Sequence, residues 1–272
     1  MLKECFDSVR EISPLIHSIT NYVTVNDVAN AILAAGASPV MSDEPEDVED
    51  IVSICSALNI NIGTLNKSSI KAMFLAGKKA ADLNRAVILD PVGAGASSLR
   101  TSTALALMKE IPFTVIRGNS SEIKTLAAGS GLTNGVDANS ADAISEENLE
   151  EGIAFAKQFA QKNSCIAAIT GAIDLVADKE RCFVIRNGRA EMSRITGTGC
   201  CLSGIMAAFV SANKNTLEAA AAAVCAMGLA GETGWSRMQS GDGNATYRNR
   251  IIDALYCMTG DDIEKGARYE IR

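Results

Sequence analysis

With 47% hydrophobic and 21% charged residues, the 272-residue chain can bury a sizeable core, and wholesale disorder is excluded. Its 25 Lys and Arg against 32 Asp and Glu leave a formal charge of −7, and aromatics amount to 4%. That balance excludes a nucleic-acid binder built on a basic surface or on stacking platforms.

Met1 to Arg10 mixes Lys3, Glu4, Asp7 and Arg10 with isolated apolar residues and holds no signal-peptide run. From there short β-branched runs alternate with longer Ala- and Leu-rich segments. Strands are expected at Leu15–Ile19, Ser38–Met41, Ile60–Gly63, Ala86–Asp90, Thr114–Arg117 and Cys165–Thr170. Helices are expected at Thr24–Ala35, Pro45–Leu58, Lys67–Asn84, Ser98–Glu110, Ser120–Ala127 and Ser145–Lys162. Repetition of strand, helix and strand at this spacing means parallel pairing with right-handed crossovers. The class is therefore α/β, with a mostly parallel central sheet covered by helices on both faces. Asp174–Val176 and Arg181–Arg186, joined by a short polar turn, predict an antiparallel hairpin on that sheet.

After Ile195 three Ala-rich helices follow, at Gly199–Ala212, Thr216–Gly231 and Asn244–Met258. Their small residues let them pack on each other and on one sheet face. Trp235 is expected beside a loop, Gly241–Asn244 as a turn, Asp261–Lys265 as solvated surface, and Arg268–Ile271 as an edge strand. The longest apolar tracts, Gly199–Ala212 and Leu217–Ala230, are too short for a bilayer, and the second carries Glu218, so no membrane span is expected. Eight scattered cysteines without a CxxC imply reduced thiols and a cytoplasmic protein. His17, the single histidine, rules against a His-based metal cluster or a Ser-His-Asp triad and is expected as a hydrogen-bonded strand residue. No linker or repeat interrupts the pattern, so residues 1–272 are expected to form one domain, with Gly129–Asn139 its flexible loop.

Ligands of an open parallel sheet bind outside the carboxyl ends of the strands, and four predicted strands or junctions end in polar residues there. Val87-Ile88-Leu89 runs into Asp90 and the glycine-rich Pro91-Val92-Gly93-Ala94-Gly95; Asp90 either caps a turn or holds Mg²⁺. Thr114-Val115-Ile116 stops at Arg117, and Asn119 to Glu122 has helix-start spacing. Arg117 suits a polyphosphate and Glu122 the water shell of a magnesium ion. Thr170, followed by Gly171, either donates to a phosphate or finishes its strand. The strongest segment is Thr196-Gly197-Thr198-Gly199-Cys200, before an apolar helix. Its glycines let successive N–H groups form an anion nest that would stabilise a transferring phosphoryl group. Cys201 reads as helix packing.

Six stretches carry a likeness across nearly the whole chain: Ile19-Thr20-Asn21-Tyr22-Val23, Asn26-Asp27-Val28-Ala29-Asn30, Gly36-Ala37-Ser38-Pro39-Val40-Met41, Asp90 to Gly95, Arg117 to Glu122, and Gly197-Thr198-Gly199-Cys200. In this order they resemble hydroxyethylthiazole kinases of the thiamin pathway, which have a ribokinase-like fold: three layers, and here no separate lid domain. The resemblance implies ATP- and Mg²⁺-dependent phosphorylation of the primary hydroxyl of 4-methyl-5-(2-hydroxyethyl)thiazole. It implies that Arg117, Thr170 and Asn119 contact ATP and that Asp90 and Glu122 organise the metal. Met41, Gly197, Asn21, Val23, Gly63 and Thr64 would shape the thiazole pocket, and Gly197, Thr198, Gly199 and Cys200 would act on the transferred group. It also implies a homotrimer with active sites between subunits.

Cys200 stands where most ribokinase-like enzymes have an aspartate base. A helix N-terminus lowers a thiol pKa, so a partial thiolate is chemically possible there. The loose transition state of phosphoryl transfer nevertheless makes backbone charge stabilisation more important than a base. Three competing functions stay open: a hydroxymethylpyrimidine-type kinase, which Cys200 and Thr20-Asn21 disfavour; an ATP-dependent dehydratase of hydrated nicotinamide cofactors; and a nucleotide-sensing protein without catalysis.

Overall fold

The computed structural model describes residues 1–129 and 143–272. The expected flexible loop Gly129–Asn139 therefore lies outside the described residues except for Gly129, which caps a helix in the left-handed region at φ 73°.

Among the described residues nine strands make one sheet. They are β1 (Leu15–Ile19), β2 (Ser38–Met41), β3 (Ala57–Asn61), β4 (Ala86–Asp90), β5 (Val115–Asn119), β6 (Ile166–Thr170), β7 (Asp174–Ala177), β8 (Cys182–Ile185) and β9 (Tyr269–Ile271). Their order is β2-β1-β3-β4-β5-β6-β7-β8-β9. The first six run parallel, and β7, β8 and β9 join antiparallel at the far edge. The hairpin and the terminal edge strand thus stand where the sequence put them.

Successive residues of each inner strand feed opposite cores, as pleating requires. Ile16, Ala57, Ile88 and Val115 face helices α1 (Leu2–Ile12) and α2 (Val25–Ala35). The same layer holds α8 (Thr198–Ala212), α9 (Thr216–Ser236), α10 (Asn244–Cys257) and α11 (Gly260–Gly266). Leu58, Ile60, Leu89 and Ile116 face α3 (Val48–Ile54), α4 (Lys67–Asp82), α5 (Ser98–Glu110), α6 (Ser120–Ala128) and α7 (Leu149–Asn163). Three layers result, and the Ala-rich helices share their face with α1 and α2.

Several boundaries differ from expectation, each for a local reason. The helix expected through Leu58 ends at Ile54, because the chain turns extended at Cys55 and Ser56 N–H donates to Leu15 O at 2.8 Å. Pairing with β1 thereby overrides the helical pattern, and β3 starts at Ala57 instead of Ile60. The N-terminal segment is a helix: Leu2, Cys5, Phe6 and Val9 recur at helical spacing and are all buried. Phe6 meets Phe209 of α8 edge-on at 5.9 Å. Trp235 stands in the last turn of α9, edge-on to Tyr247 of α10 at 5.2 Å, and packs as expected beside a loop, with the Arg189 guanidinium 5.3 Å above its ring. Within the charged stretch Asp261–Lys265 a short helix forms, capped by Thr259 and pinned by buried Ile263, while its charges remain exposed. All eight cysteines are free thiols. Among the described residues no helix is long and apolar enough to cross a membrane.

Candidate active site

Because β3, β4, β5 and β6 are parallel and adjacent, their C-terminal residues Asn61, Asp90, Asn119 and Thr170 come to one rim of the sheet. Asp90 is 0% exposed. Its Oδ2 accepts from Ser203 Oγ of α8 at 2.8 Å and from Asn61 Nδ2 at 2.8 Å. Its Oδ1, 3.5 Å from Arg117 Nη1, has no hydrogen-bond partner among the described residues. Burial drives the Asp90 pKa up, against the opposing charge of Arg117.

Arg117 Nη2 donates to Thr170 Oγ1 at 2.7 Å, so two residues expected to contact one ligand already hold each other. Glu122 sits three residues into a capping box. Its side chain accepts from the backbone N–H of Asn119 at 2.8 Å, while Asn119 Oδ1 accepts from Glu122 N–H at 2.9 Å. The second Glu122 oxygen accepts from Gly93 N–H at 2.8 Å, which ties the turn after β4 to α6. Burial, reinforced by the nearby charge of Asp90, raises the Glu122 pKa to about 7.

Of the two glycines, Gly197 caps α8 and Gly199 lies in its first turn. Gly197 is in the left-handed region at φ 92°, and a Cβ placed on it would lie 2.6 Å from Thr24 Cγ2. A Cβ on Gly199 would lie 2.5 Å from Arg117 Nη1, so the guanidinium rests directly against the first turn of α8. Arg117, Asn119, Thr170, Thr198, Gly199 and Met227 belong to the wall of one cleft of about 540 Å³.

Cys200, buried at 8% exposure, accepts at Sγ from Asn21 Nδ2 at 3.2 Å and Asn61 Nδ2 at 3.3 Å. Its pKa is pushed up by burial first and Asp90 second. Burial thus works against the partial thiolate that a helix N-terminus would favour. Asn21, Gly63 and Thr64 are brought together, since Tyr22 N–H donates to Thr64 Oγ1 at 3.2 Å and a Cβ on Gly63 would lie 3.0 Å from Asn21 Cβ. Met41 stands at the end of edge strand β2, and Val23 is 60% exposed before α2, so neither is drawn into this buried cluster.

Four residues at the rim escape the sequence pattern: Asn61, Ser203, Arg100 and Asp174. Arg100 donates from Nη2 to Gly63 O at 2.7 Å, bracing the loop after β3. Asp174 opens β7 on the cleft wall, accepts from Gly171 N–H at 2.8 Å, and has its pKa raised to about 7 by burial. Asn61 was discoverable by the strand-end criterion, but the expected strand Ile60–Gly63 set it inside the strand instead of at its end.

Residues 6–261 match the model of the hydroxyethylthiazole kinase family. The chain belongs to that family. It is 55% identical over 271 residues to the hydroxyethylthiazole kinase of Clostridium acetobutylicum, covering 99% of each chain. It also superposes on the hydroxyethylthiazole kinase structure from Pyrococcus horikoshii OT3 with a TM-score of 0.88 and 32% identity, covering 100% of this chain and 98% of that one. A pyridoxal kinase from Staphylococcus aureus, in complex with AMP-PCP and pyridoxal, shares the fold at a TM-score of 0.62 and 15% identity, covering 95% of this chain and 97% of that one. The ribokinase-like architecture of the family is therefore this chain's own.

Proposed function

We propose that this protein transfers the terminal phosphoryl group of ATP to the primary hydroxyl of 4-methyl-5-(2-hydroxyethyl)thiazole, in thiamin biosynthesis or salvage. One observation carries the assignment of the site. The Arg117 guanidinium, 3.5 Å from Asp90 Oδ1 and 2.7 Å from Thr170 Oγ1, lies against Gly199 at the start of α8. A cation, a hydroxyl and helix N–H groups thus share one spot on the cleft wall, the donor set that a transferring phosphoryl group needs.

In this reading Arg117, Thr170 and Asn119 hold the polyphosphate, and the N–H groups from Thr198 to Cys200 stabilise charge on the group in flight. Met41, Gly197, Asn21, Val23, Gly63 and Thr64 border the thiazole. A loose transition state leaves the attacking hydroxyl largely protonated until late, so no strong base is required. The raised pKa of Cys200 agrees with that: the thiol marks position and its proton stays on sulfur. The acceptor hydroxyl passes its proton late to an oxygen of the transferred phosphoryl group, and from there it is lost to water.

The residues fit a magnesium ion. Asp90 Oδ1 is a buried carboxylate oxygen without a hydrogen-bond partner among the described residues, and the Asp90 charge raises the pKa of Glu122, a strain that a cation relieves. Asp90 would hold the ion through that oxygen. Glu122, both of whose oxygens already accept backbone N–H groups, would act through a bound water. When bound, Mg²⁺ neutralises the phosphate oxygens and lowers the repulsion met by the incoming hydroxyl.

We also propose a cytoplasmic homotrimer with its sites between subunits. Supporting it, Tyr22 and Val23 are 78% and 60% exposed immediately beside buried Asn21, and β2 leaves a sheet edge open there. Light scattering on the purified protein tests the mass. The function itself is tested by offering ATP with the thiazole alcohol, the hydroxymethylpyrimidine or hydrated NADH in parallel. Phosphorylation of the thiazole alcohol alone is expected; preferred turnover of either other compound overturns the assignment.

A further inference from the structure

Asn61 is 1% exposed at the end of β3, on the strand face of Ala57 and Asn59, opposite Leu58 and Ile60. Its amide is fixed from both ends. Oδ1 accepts from the Gly63 N–H at 2.9 Å and from Asn21 Nδ2 at 3.2 Å. Nδ2 consequently faces the other way, toward Asp90 Oδ2 at 2.8 Å and Cys200 Sγ at 3.3 Å. A flipped amide would set its oxygen against a carboxylate and its nitrogen against two donors, so the network admits one orientation. Asn21 is held in turn, since its Oδ1 accepts from Thr24 N–H at 3.1 Å and Thr24 Oγ1 at 3.0 Å.

From this we propose that Asn61 is a positioning residue for the phosphoryl transfer, a role resting on the roles given above to Asp90 and Cys200. One amide group joins the carboxylate to the thiol. With Ser203 it occupies Asp90 Oδ2, so Oδ1 is the oxygen turned to the ligand side. With Asn21 it supplies sulfur with two N–H donors, so Cys200 cannot rotate its sulfur away from the first turn of α8. The side chain touches no reacting atom. It acts through the two residues it spaces.

Two variants test this. Asn61→Ser leaves room for water to serve the freed partners. Asn61→Asp keeps the acceptor half toward Gly63 and Asn21 but replaces the amide N–H groups with a second carboxyl oxygen against Asp90, which must repel that carboxylate or share one proton with it. In both, kcat is expected to fall about 10–100-fold, the range for partners that orient metal-bearing carboxylates. The KM for the thiazole alcohol should stay within about threefold, the signature of lost transition-state stabilisation rather than lost binding. Calorimetric titration with Mg²⁺ and ADP, which reads no turnover, should show an affinity loss of about tenfold or more. Native kcat in Asn61→Ser, unchanged Mg²⁺–ADP affinity, or a loss of kcat that merely tracks the unfolded fraction by circular dichroism overturns the proposal. Asp90→Asn is measured alongside. If it keeps native turnover, the assignment of the rim itself is wrong and the role of Asn61 falls with it; if it is slow while Asn61→Ser is not, the positioning role alone fails.

Discussion

Arg117 donates from Nη2 to Thr170 Oγ1 across the β5–β6 pair at 2.7 Å, while its other terminal nitrogen stands 3.5 Å from Asp90 Oδ1. The planar fork is thus set by a hydroxyl on one side and a carboxylate on the other. A lysine, a point charge on a flexible stem, cannot reproduce both contacts. Arg117→Lys is therefore expected to lose about 10²–10³ in kcat, as sites stripped of one preorganised charge donor do. Thr170→Val should lose about tenfold, the worth of one hydrogen bond to a charged group. Steady-state kinetics on both variants checks the order.

The glycines at the N-cap and in the first turn of α8 act through different neighbours. Gly197 has φ 92° and faces Thr24 at a distance no Cβ tolerates, so Gly197→Ala should cost about 1–3 kcal/mol of folding free energy. Gly199→Ala puts its methyl group on the guanidinium of Arg117 instead. Its stability should fall too, because the shifted guanidinium leaves the buried Asp90 carboxylate without its cation. Its kcat should fall by about 10²-fold, as the displaced cation requires. Urea unfolding beside kinetics reads both effects.

Cys200 gives a third outcome. Its thiol pKa is raised, so Cys200→Ala removes no base, and turnover is expected to remain within about tenfold, the effect of losing modest positioning. Gly199→Val, which disturbs the nest and Arg117 together, should be far slower. An inactive Cys200→Ala beside an active Gly199→Val would reverse this ranking.

His17 supplies a pH effect on stability. It is fully buried on β1, its Nε2 lies 2.9 Å from Ser42 O, and burial lowers its pKa from the ordinary 6.5. The unfolded chain therefore binds this proton more readily than the folded one, so stability is present above pH 6.5 and is lost as the pH falls below it. His17→Gln should flatten that acid limb relative to the native protein in melts between about pH 7 and 5, the range in which an unperturbed histidine charges. An identical slope in both proteins would contradict the assignment.

Much of the sheet was legible because buried parallel strands are nearly continuous apolar runs, as in Ala86–Asp90, and because Asp174–Ala177 and Cys182–Ile185 flank a short polar turn. Helix α1 was not, since its four buried residues look isolated unless tested at helical spacing. The start of β3 was hidden for a different reason: Ala57-Leu58 continues an apolar pattern, and only pairing with β1 makes it extended. That slip of three residues concealed Asn61. The polar strand ends Asp90, Arg117 and Thr170 were visible as residues a core does not need. Ser203, which donates to Asp90, and Arg100, which donates to Gly63 O, were not, because an i,i+4 serine in an apolar helix and an arginine in a first turn look the same whether or not they reach another element.

The most direct measurement is a crystal structure with AMP-PCP, Mg²⁺ and 4-methyl-5-(2-hydroxyethyl)thiazole bound together. The prediction is a terminal phosphate within hydrogen-bond distance of Arg117 and of N–H groups between Thr198 and Cys200, with the acceptor hydroxyl in line on the Asn21 side. A nucleotide seated away from the C-terminal rim, or a thiazole whose hydroxyl points away from the Gly197–Cys200 turn, would contradict it.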